Sequence, residues 1–116
     1  MKECLVHNHD KIRDKLLKSE DYINSVDKAS RIFALLGEPS RMKIVLALME
    51  GELCVYHICE VTKAKQSATS QHLRKLKDAN IIKARKEANQ VLYSIADEHV
   101  ATIIKTAIEH ERCKND

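Results

Sequence analysis

The chain has 116 residues, of which 44% are hydrophobic and 32% charged, with only two glycines and one proline. This length fits one domain rather than two, and the scarcity of glycine and proline favours a mainly α fold over a turn-rich β architecture. No apolar run approaches the roughly 20 residues of a membrane span, and no signal peptide is evident at the N-terminus. We therefore expect a cytoplasmic protein without a membrane partner, whose four cysteines are thiols or metal ligands rather than disulfides.

The charge of the chain is concentrated in one segment. Residues 65–86 contain seven basic residues and one acidic residue, a net charge of +6, so that the remainder of the chain carries −3. Such a patch suits a polyanion, because each phosphate that is neutralised releases counterions from DNA. A solvated lysine-rich helix face is the other interpretation.

The first predicted element is a weak helix over residues 9–18, which residues 19–21 interrupt. We therefore predict an N-terminal arm over residues 1–20, whose mobility the pattern leaves open. The main domain is predicted over residues 21–116.

Helical spacing continues through the first half of this domain. A helix is predicted over residues 22–36, with Gly37 as its C-terminal cap, and Pro39 opens the next helix, which runs towards Gly51. A short helix at about 55–62 and a longer one at about 66–79 follow. These two helices are a candidate helix-turn-helix.

Beyond residue 80 the pattern changes to two β-type runs, at 81–85 and 91–95, bridged by residues 86–90. An amphipathic helix over residues 97–112 ends the chain. The order of helices, helix-turn-helix and small β-hairpin predicts a winged helix-turn-helix fold, in which the second helix of the motif enters the major groove of DNA.

Within the predicted recognition helix, Leu73 and Leu76 define the buried side. The outward side carries short polar groups and one arginine that can hydrogen-bond base edges, namely Gln66, Ser67, Ser70, Gln71 and Arg74. Five further basic residues are expected to contact phosphates, namely Lys75, Lys77, Lys83, Arg85 and Lys86.

Four segments in this order resemble one protein family: ALLGEPSRMKIVLAL, ELCVYHICE, QSATSQHLRKLKDANII and VLYSIADEHVATIIKTAIEH. From about residue 27 to 113 the chain is similar to the ArsR/SmtB family of metal-responsive winged-helix repressors. The resemblance implies a homodimeric repressor that leaves its operator DNA when a metal binds. It also implies that Gln66, Ser67, Ser70 and Gln71 occupy DNA-facing positions.

The last predicted helix carries potential metal ligands on one face, with His99, His110 and Cys113 at helical spacings. His99 and His110 are 11 residues apart, or about 16 Å at 1.5 Å per residue, which is too far for one zinc ion. An antiparallel partner helix at a dimer seam removes this conflict, because it brings Asp97 and His99 of one chain beside His110 and Cys113 of the other. Individually, these residues also fit a helix cap, surface histidines and a thiol at a frayed helix end.

The resemblance implies a metal site on this helix, formed by a D-x-H pair and two later ligands, which Asp97, His99 and His110 match. Cys113 stands where the family more often has histidine or glutamate. A thiolate is a softer ligand, so both zinc and cadmium are candidates.

A second group of potential ligands comprises Cys4, His7 and His9 near the N-terminus and Cys54, His57 and Cys59 in ELCVYHICE. The resemblance implies a second metal site in which Cys54 and His57 take the places of a cysteine and an aspartate. We predict that Cys4 and either His7 or His9 complete this site. For Cys59, burial as an apolar side chain is the favoured interpretation.

The same residues suggest two other functions. A repressor that senses arsenite or redox state through Cys4, Cys54 and Cys59 has the same fold. Members of the family that sense cadmium, lead or arsenite often carry a further cysteine where this chain has Tyr56. This departure weakens the interpretation of a three-thiolate arsenite site, so zinc or cadmium is favoured. An enzyme with Cys54 and His57 as nucleophile and base is disfavoured, because no third group orients the pair and the chain has neither a glycine-rich phosphate loop nor an HExxH motif.

Overall fold

The computed structural model describes residues 9–113 and divides the chain into two compact units, residues 1–33 and 34–116. The first unit holds α1 (His9–Leu17) and most of α2 (Glu20–Leu36). Helix α2 begins two residues earlier than predicted, because Ser19 acts as its N-cap: the Ser19 hydroxyl accepts a hydrogen bond from the backbone N–H of Tyr22 at 3.4 Å. Glu20 and Asp21, in the first turn of α2, also favour its positive N-terminal end.

The second unit follows the predicted order of elements, with one addition. Its elements are α3 (Pro39–Met49), β1 (Leu53–Cys54), α4 (Val55–Thr62), α5 (Gln66–Asp78), β2 (Ile82–Glu87), β3 (Gln90–Ile95) and α6 (Glu98–Cys113). Helix α2 ends at Leu36, directly before Gly37 as predicted, although Gly37 is not among the described residues with positive φ. Proline at the start of α3 is as predicted, and the Glu38 carboxylate accepts a hydrogen bond from the Arg41 backbone N–H at 3.2 Å.

The core of the second unit lies between α3, the helix-turn-helix and the first turns of α6. Its most buried side chains belong to α3 to α6, to the start of β2 and to the residue before β2, namely Ile44, Val45, Leu48, Ile58, Thr69, Leu73, Leu76, Ile81, Ile82, Ala101 and Ile104. Leu73 and Leu76 are buried, as their spacing predicted. Over residues 9–113, no helix combines the length and the apolar character that a membrane span requires.

A three-stranded antiparallel sheet in the order β1-β3-β2 forms the wing. Strands β2 and β3 pair from Ile82 opposite Ile95 to Glu87 opposite Gln90, so the connecting turn is shorter than the predicted bridge of residues 86–90. The two-residue strand β1 was not predicted, because two residues show no periodicity. It exists through its pairing with β3, in which Cys54 lies opposite Leu92.

The turn of the wing contains a left-handed alanine, Ala88, with φ of 55°. An L-residue with a Cβ atom is disfavoured there by about 1–2 kcal/mol, whereas glycine is not. After the entropic cost of glycine is subtracted, we expect Ala88→Gly to stabilise the fold by about 0.5–1 kcal/mol. This gain should raise the melting temperature, measured by circular dichroism, by roughly 2–6 °C. Ala84→Gly, within β2, is the matched control and should lower it. A melting temperature for Ala88→Gly at or below that of the wild type contradicts this prediction.

Candidate nucleic-acid interface and metal ligands

Helices α4 and α5 form the helix-turn-helix. Helix α4 ends at Thr62, and Lys63 takes a left-handed conformation with φ of 58°, while the Ala64 N–H bonds to the carbonyl of Cys59 at 3.2 Å. Thr69, Leu73 and Leu76 of α5 face the core. The five residues predicted to contact bases are all exposed on this helix, namely Gln66, Ser67, Ser70, Gln71 and Arg74, and so are Lys75 and Lys77.

The recognition helix is anchored to α3 through His72, which the sequence analysis did not single out. Arg41 donates a hydrogen bond from Nε to His72 Nδ1 at 3.1 Å, so that the proton of a neutral His72 ring lies on Nε2. His72 Nε2 lies 3.6 Å from a carboxylate oxygen of Glu38. These contacts fix the position of α5 relative to the N-terminus of α3. No local pattern indicates this contact, because Arg41 and His72 are 31 residues apart in the chain.

The environment of Glu38 favours its charged form. Partial burial acts to raise the pKa of Glu38. Hydrogen bonds from the backbone N–H groups of Ser40 and Arg41, and the charges of His72 and Arg41, outweigh that effect and lower the pKa below its ordinary value. The carboxylate is therefore ionised at neutral pH and available to both α3 and His72.

In the wing, Lys83 and Lys86 are exposed, as phosphate contacts need to be. Arg85 is exposed too, but Glu52 holds it through bonds of 2.6 Å from Nε and 2.8 Å from Nη2, and Glu87 lies 2.7 Å from Nη2. The hydrogen bond from Arg85 lowers the pKa of Glu52, and both carboxylates raise the pKa of Arg85. The sequence predicted the exposure of Arg85 but not its acidic partners.

On α6 the structure brings together two of the four predicted ligands. Asp97 Oδ1 accepts a hydrogen bond from the His99 N–H at 2.9 Å and lies 3.3 Å from His99 Nδ1. Asp97 thus caps the helix while its carboxylate stays beside a ring that is 98% exposed. His110 and Cys113 are exposed near the other end of the same helix.

The second predicted cluster is also represented by one close pair. Cys54 Sγ lies 3.3 Å from His57 Nδ1 at the start of α4; Cys54 is buried and His57 exposed. Cys59 is half-buried, which leaves its predicted burial partly realised. Cys4 and His7 lie outside the described residues, and His9 is exposed at the start of α1.

Each pair offers donors that suit zinc or cadmium: carboxylate with imidazole on α6, and thiol with imidazole at α4. Neither pair is a complete site, because a structural zinc site has four ligands. Over residues 9–113 of a single chain, no group of three or more such side chains is close enough to hold an ion. A metal bound at either pair needs further donors.

The α4–α5 motif with an exposed polar recognition face, followed by a basic β-hairpin, defines a winged helix-turn-helix regulator. Residues 38–84 match the family described as "Bacterial regulatory protein, arsR family". The chain is 40% identical over 90 residues to a "Cadmium resistance transcriptional regulatory protein CadC homolog" of Staphylococcus aureus, covering 77% of this chain and 74% of that protein. It is 35% identical over 85 residues to the "HTH-type transcriptional repressor SmtB" of Mycobacterium tuberculosis, covering 73% of this chain and 63% of that protein.

Among solved structures, the homodimeric winged helix-turn-helix DNA-binding domain of a Mycobacterium bovis protein superposes with a TM-score of 0.74 at 26% identity. The match covers 84% of this chain and 93% of that one. The protein belongs to the ArsR/SmtB family of transcriptional regulators. It is a regulator and not an enzyme, and the family and the winged helix-turn-helix fold predicted from sequence are confirmed.

Proposed function

We propose that the protein is a homodimeric repressor that binds operator DNA and dissociates from it when zinc or cadmium binds. The observation that carries the metal-sensing part is the Asp97–His99 pair, whose two donor atoms lie 3.3 Å apart at the exposed start of α6. The similarity to the CadC homologue and to SmtB supports this choice of ligand. Because its target is DNA, we place the repressor in the cytoplasm.

Exposed apolar side chains support the homodimer. Phe33 of α2 is 58% exposed, Val26 of the same helix 49%, and Ile103 of α6 41%. Large apolar side chains that are exposed on a helix are typical of surfaces that a partner covers. A second copy of the chain is the partner that a two-fold symmetric repressor needs, and the Mycobacterium bovis domain is homodimeric.

For DNA binding, we propose that the exposed face of α5 enters the major groove. Gln66, Ser67, Ser70, Gln71 and Arg74 then contact base edges, while Lys75, Lys77, Lys83, Arg85 and Lys86 contact phosphates. The two recognition helices of a dimer meet successive grooves about 34 Å apart, on an imperfect palindrome.

For metal binding, we propose that Asp97 and His99 act together with the partner subunit's His110 and the partner's Cys113. Because the ligands come from two chains, the geometry of the dimer depends on whether the metal is bound. Metal binding thereby changes the position of the two recognition helices relative to each other. Histidine coordinates a metal through its neutral imidazole ring, and cysteine through its thiolate.

The Cys54–His57 pair is proposed as part of a second site, completed by Cys4 and by His7 or His9. Cadmium bound to thiolates gives a charge-transfer absorption, so we expect the double variant Cys4→Ser, Cys54→Ser to lose most of that signal in a cadmium titration. Cys59→Ser is the matched control and should retain it. Equal absorbance in the wild type and the double variant excludes this site.

The proposed function is tested by titrating the purified protein on operator DNA with zinc, cadmium and arsenite. Release by zinc or cadmium is the expected result. If arsenite or an oxidant releases the operator DNA and zinc and cadmium do not, the result supports instead the thiol-based alternative that uses Cys4, Cys54 and Cys59. A wild-type protein that binds no DNA contradicts the proposal as a whole.

A further inference from the structure

Arg85, a central residue of the wing, is held by carboxylates from two directions. Glu52 takes its Nε and Nη2 at 2.6 and 2.8 Å, and Glu87 takes Nη2 at 2.7 Å. The guanidinium group and these two carboxylates together carry one net negative charge. The wing arginine is therefore surrounded by acidic groups within the most basic part of the chain.

The geometry leaves Arg85 little capacity for a further anion. A guanidinium group has five N–H bonds, and it holds a phosphate most strongly through two parallel ones. Glu52 occupies the Nε/Nη2 edge in this bidentate manner, and Glu87 takes the other side of Nη2. A phosphate can bind the Nε/Nη2 edge in the same bidentate way only after Glu52 has left, and the Nη1/Nη2 edge only after Glu87 has left.

Glu52 holds Arg85 more firmly than Glu87 does. It makes two bonds against one, and its side chain is 32% exposed against 59% for Glu87. Glu52 also directly precedes β1, which is paired to β3, whereas Glu87 borders the turn of the wing. Both carboxylates are thus held beside the sheet, and Glu52 makes the more extensive contact with Arg85.

We propose that Glu52 limits the affinity of the protein for DNA by competing with the phosphate backbone for Arg85. DNA binding by the wing then includes an exchange of the Glu52 carboxylate for a phosphate, and the repressor binds more weakly than its basic surface permits. This inference rests on the proposed DNA binding. It assigns a role in that binding to Glu52, a residue that is not itself proposed to contact DNA.

The test compares Glu52→Gln with Glu60→Gln, an exposed glutamate of α4 outside this cluster that controls for the loss of one negative charge. Binding to a fluorescent operator duplex is measured by anisotropy at several salt concentrations. We expect Glu52→Gln to tighten binding by about 10-fold at low salt, and to leave the slope of log K against log salt unchanged, because Arg85 contacts the same phosphate in the bound state of either protein. Glu60→Gln should change the affinity by less than about threefold.

The gain must depend on Arg85, so it should vanish when Glu52→Gln is combined with Arg85→Ala. Glu52→Asp replaces Glu52→Gln if the latter melts below the assay temperature. It keeps the negative charge, but its side chain is too short to make the same two bonds to Arg85. We therefore expect a smaller gain in DNA affinity than for Glu52→Gln. Unchanged or weaker binding by a folded Glu52 variant, or a gain that persists without Arg85, overturns this inference and leaves the proposed function intact. A wild type that binds no duplex overturns both.

Discussion

Replacing His99 or His110 by alanine is expected to abolish metal-induced release while leaving DNA binding by the metal-free protein unchanged. His99 supplies the exposed imidazole beside Asp97, and the ring of His110 is the donor proposed to reach the same ion from the partner subunit. If the metal favours the low-affinity conformation by about 4 kcal/mol, operator binding weakens roughly a thousandfold in the wild type. Each variant should lose nearly all of that difference in a zinc titration of the protein–DNA complex.

The matched control for this experiment is His57→Ala, which removes an exposed imidazole from the other pair. It should release DNA at the wild-type zinc concentration. If His57→Ala loses release while His99→Ala and His110→Ala keep it, the Cys54–His57 site controls DNA binding, and the assignment of the α6 ligands is wrong.

Replacing Gln71 or Arg74 by alanine is expected to weaken operator binding by about 1–3 kcal/mol each, or roughly 5- to 150-fold. Both side chains are exposed on the face of α5 opposite Leu73 and Leu76, so their loss should leave the core unchanged. Competition between the operator and random duplexes separates base contacts from phosphate contacts. Loss of a base contact weakens binding to the operator alone.

Lys86→Ala is the comparison for these variants, because a lysine that contacts phosphate contributes equally to all sequences. It should weaken operator and random duplexes alike and reduce the salt slope by about 0.9 per contact. If Gln71→Ala and Arg74→Ala both retain the discrimination of the wild type between operator and random DNA, α5 is not the base-reading element.

Several features of the protein could be predicted from sequence because they depend on neighbours in the chain. Leu73 and Leu76 are three residues apart, which fits the 3.6-residue period of a helix. Their spacing indicated the buried side of α5, and with it the exposed polar side. Cys54 and His57 are only three residues apart in the chain, and the structure places Sγ and Nδ1 3.3 Å apart, although Cys54 belongs to β1 and precedes the first residue of α4. Asp97 two residues before His99 indicated a cap, which is also observed.

Other features were decided by the tertiary structure alone. Arg85 and Glu52 are 33 residues apart, and Arg41 and His72 are 31 residues apart, so no local pattern links either pair. Strand β1 is two residues long and has no signal of its own; pairing with β3 creates it and brings Glu52 within reach of the wing. Local periodicity shows which side of an element is buried, because burial depends on the direction of each side chain. The choice of partner across the sheet depends on which distant segments the folded core brings together, and this is why the sequence indicated the exposure of Arg85 but not the carboxylates that hold it.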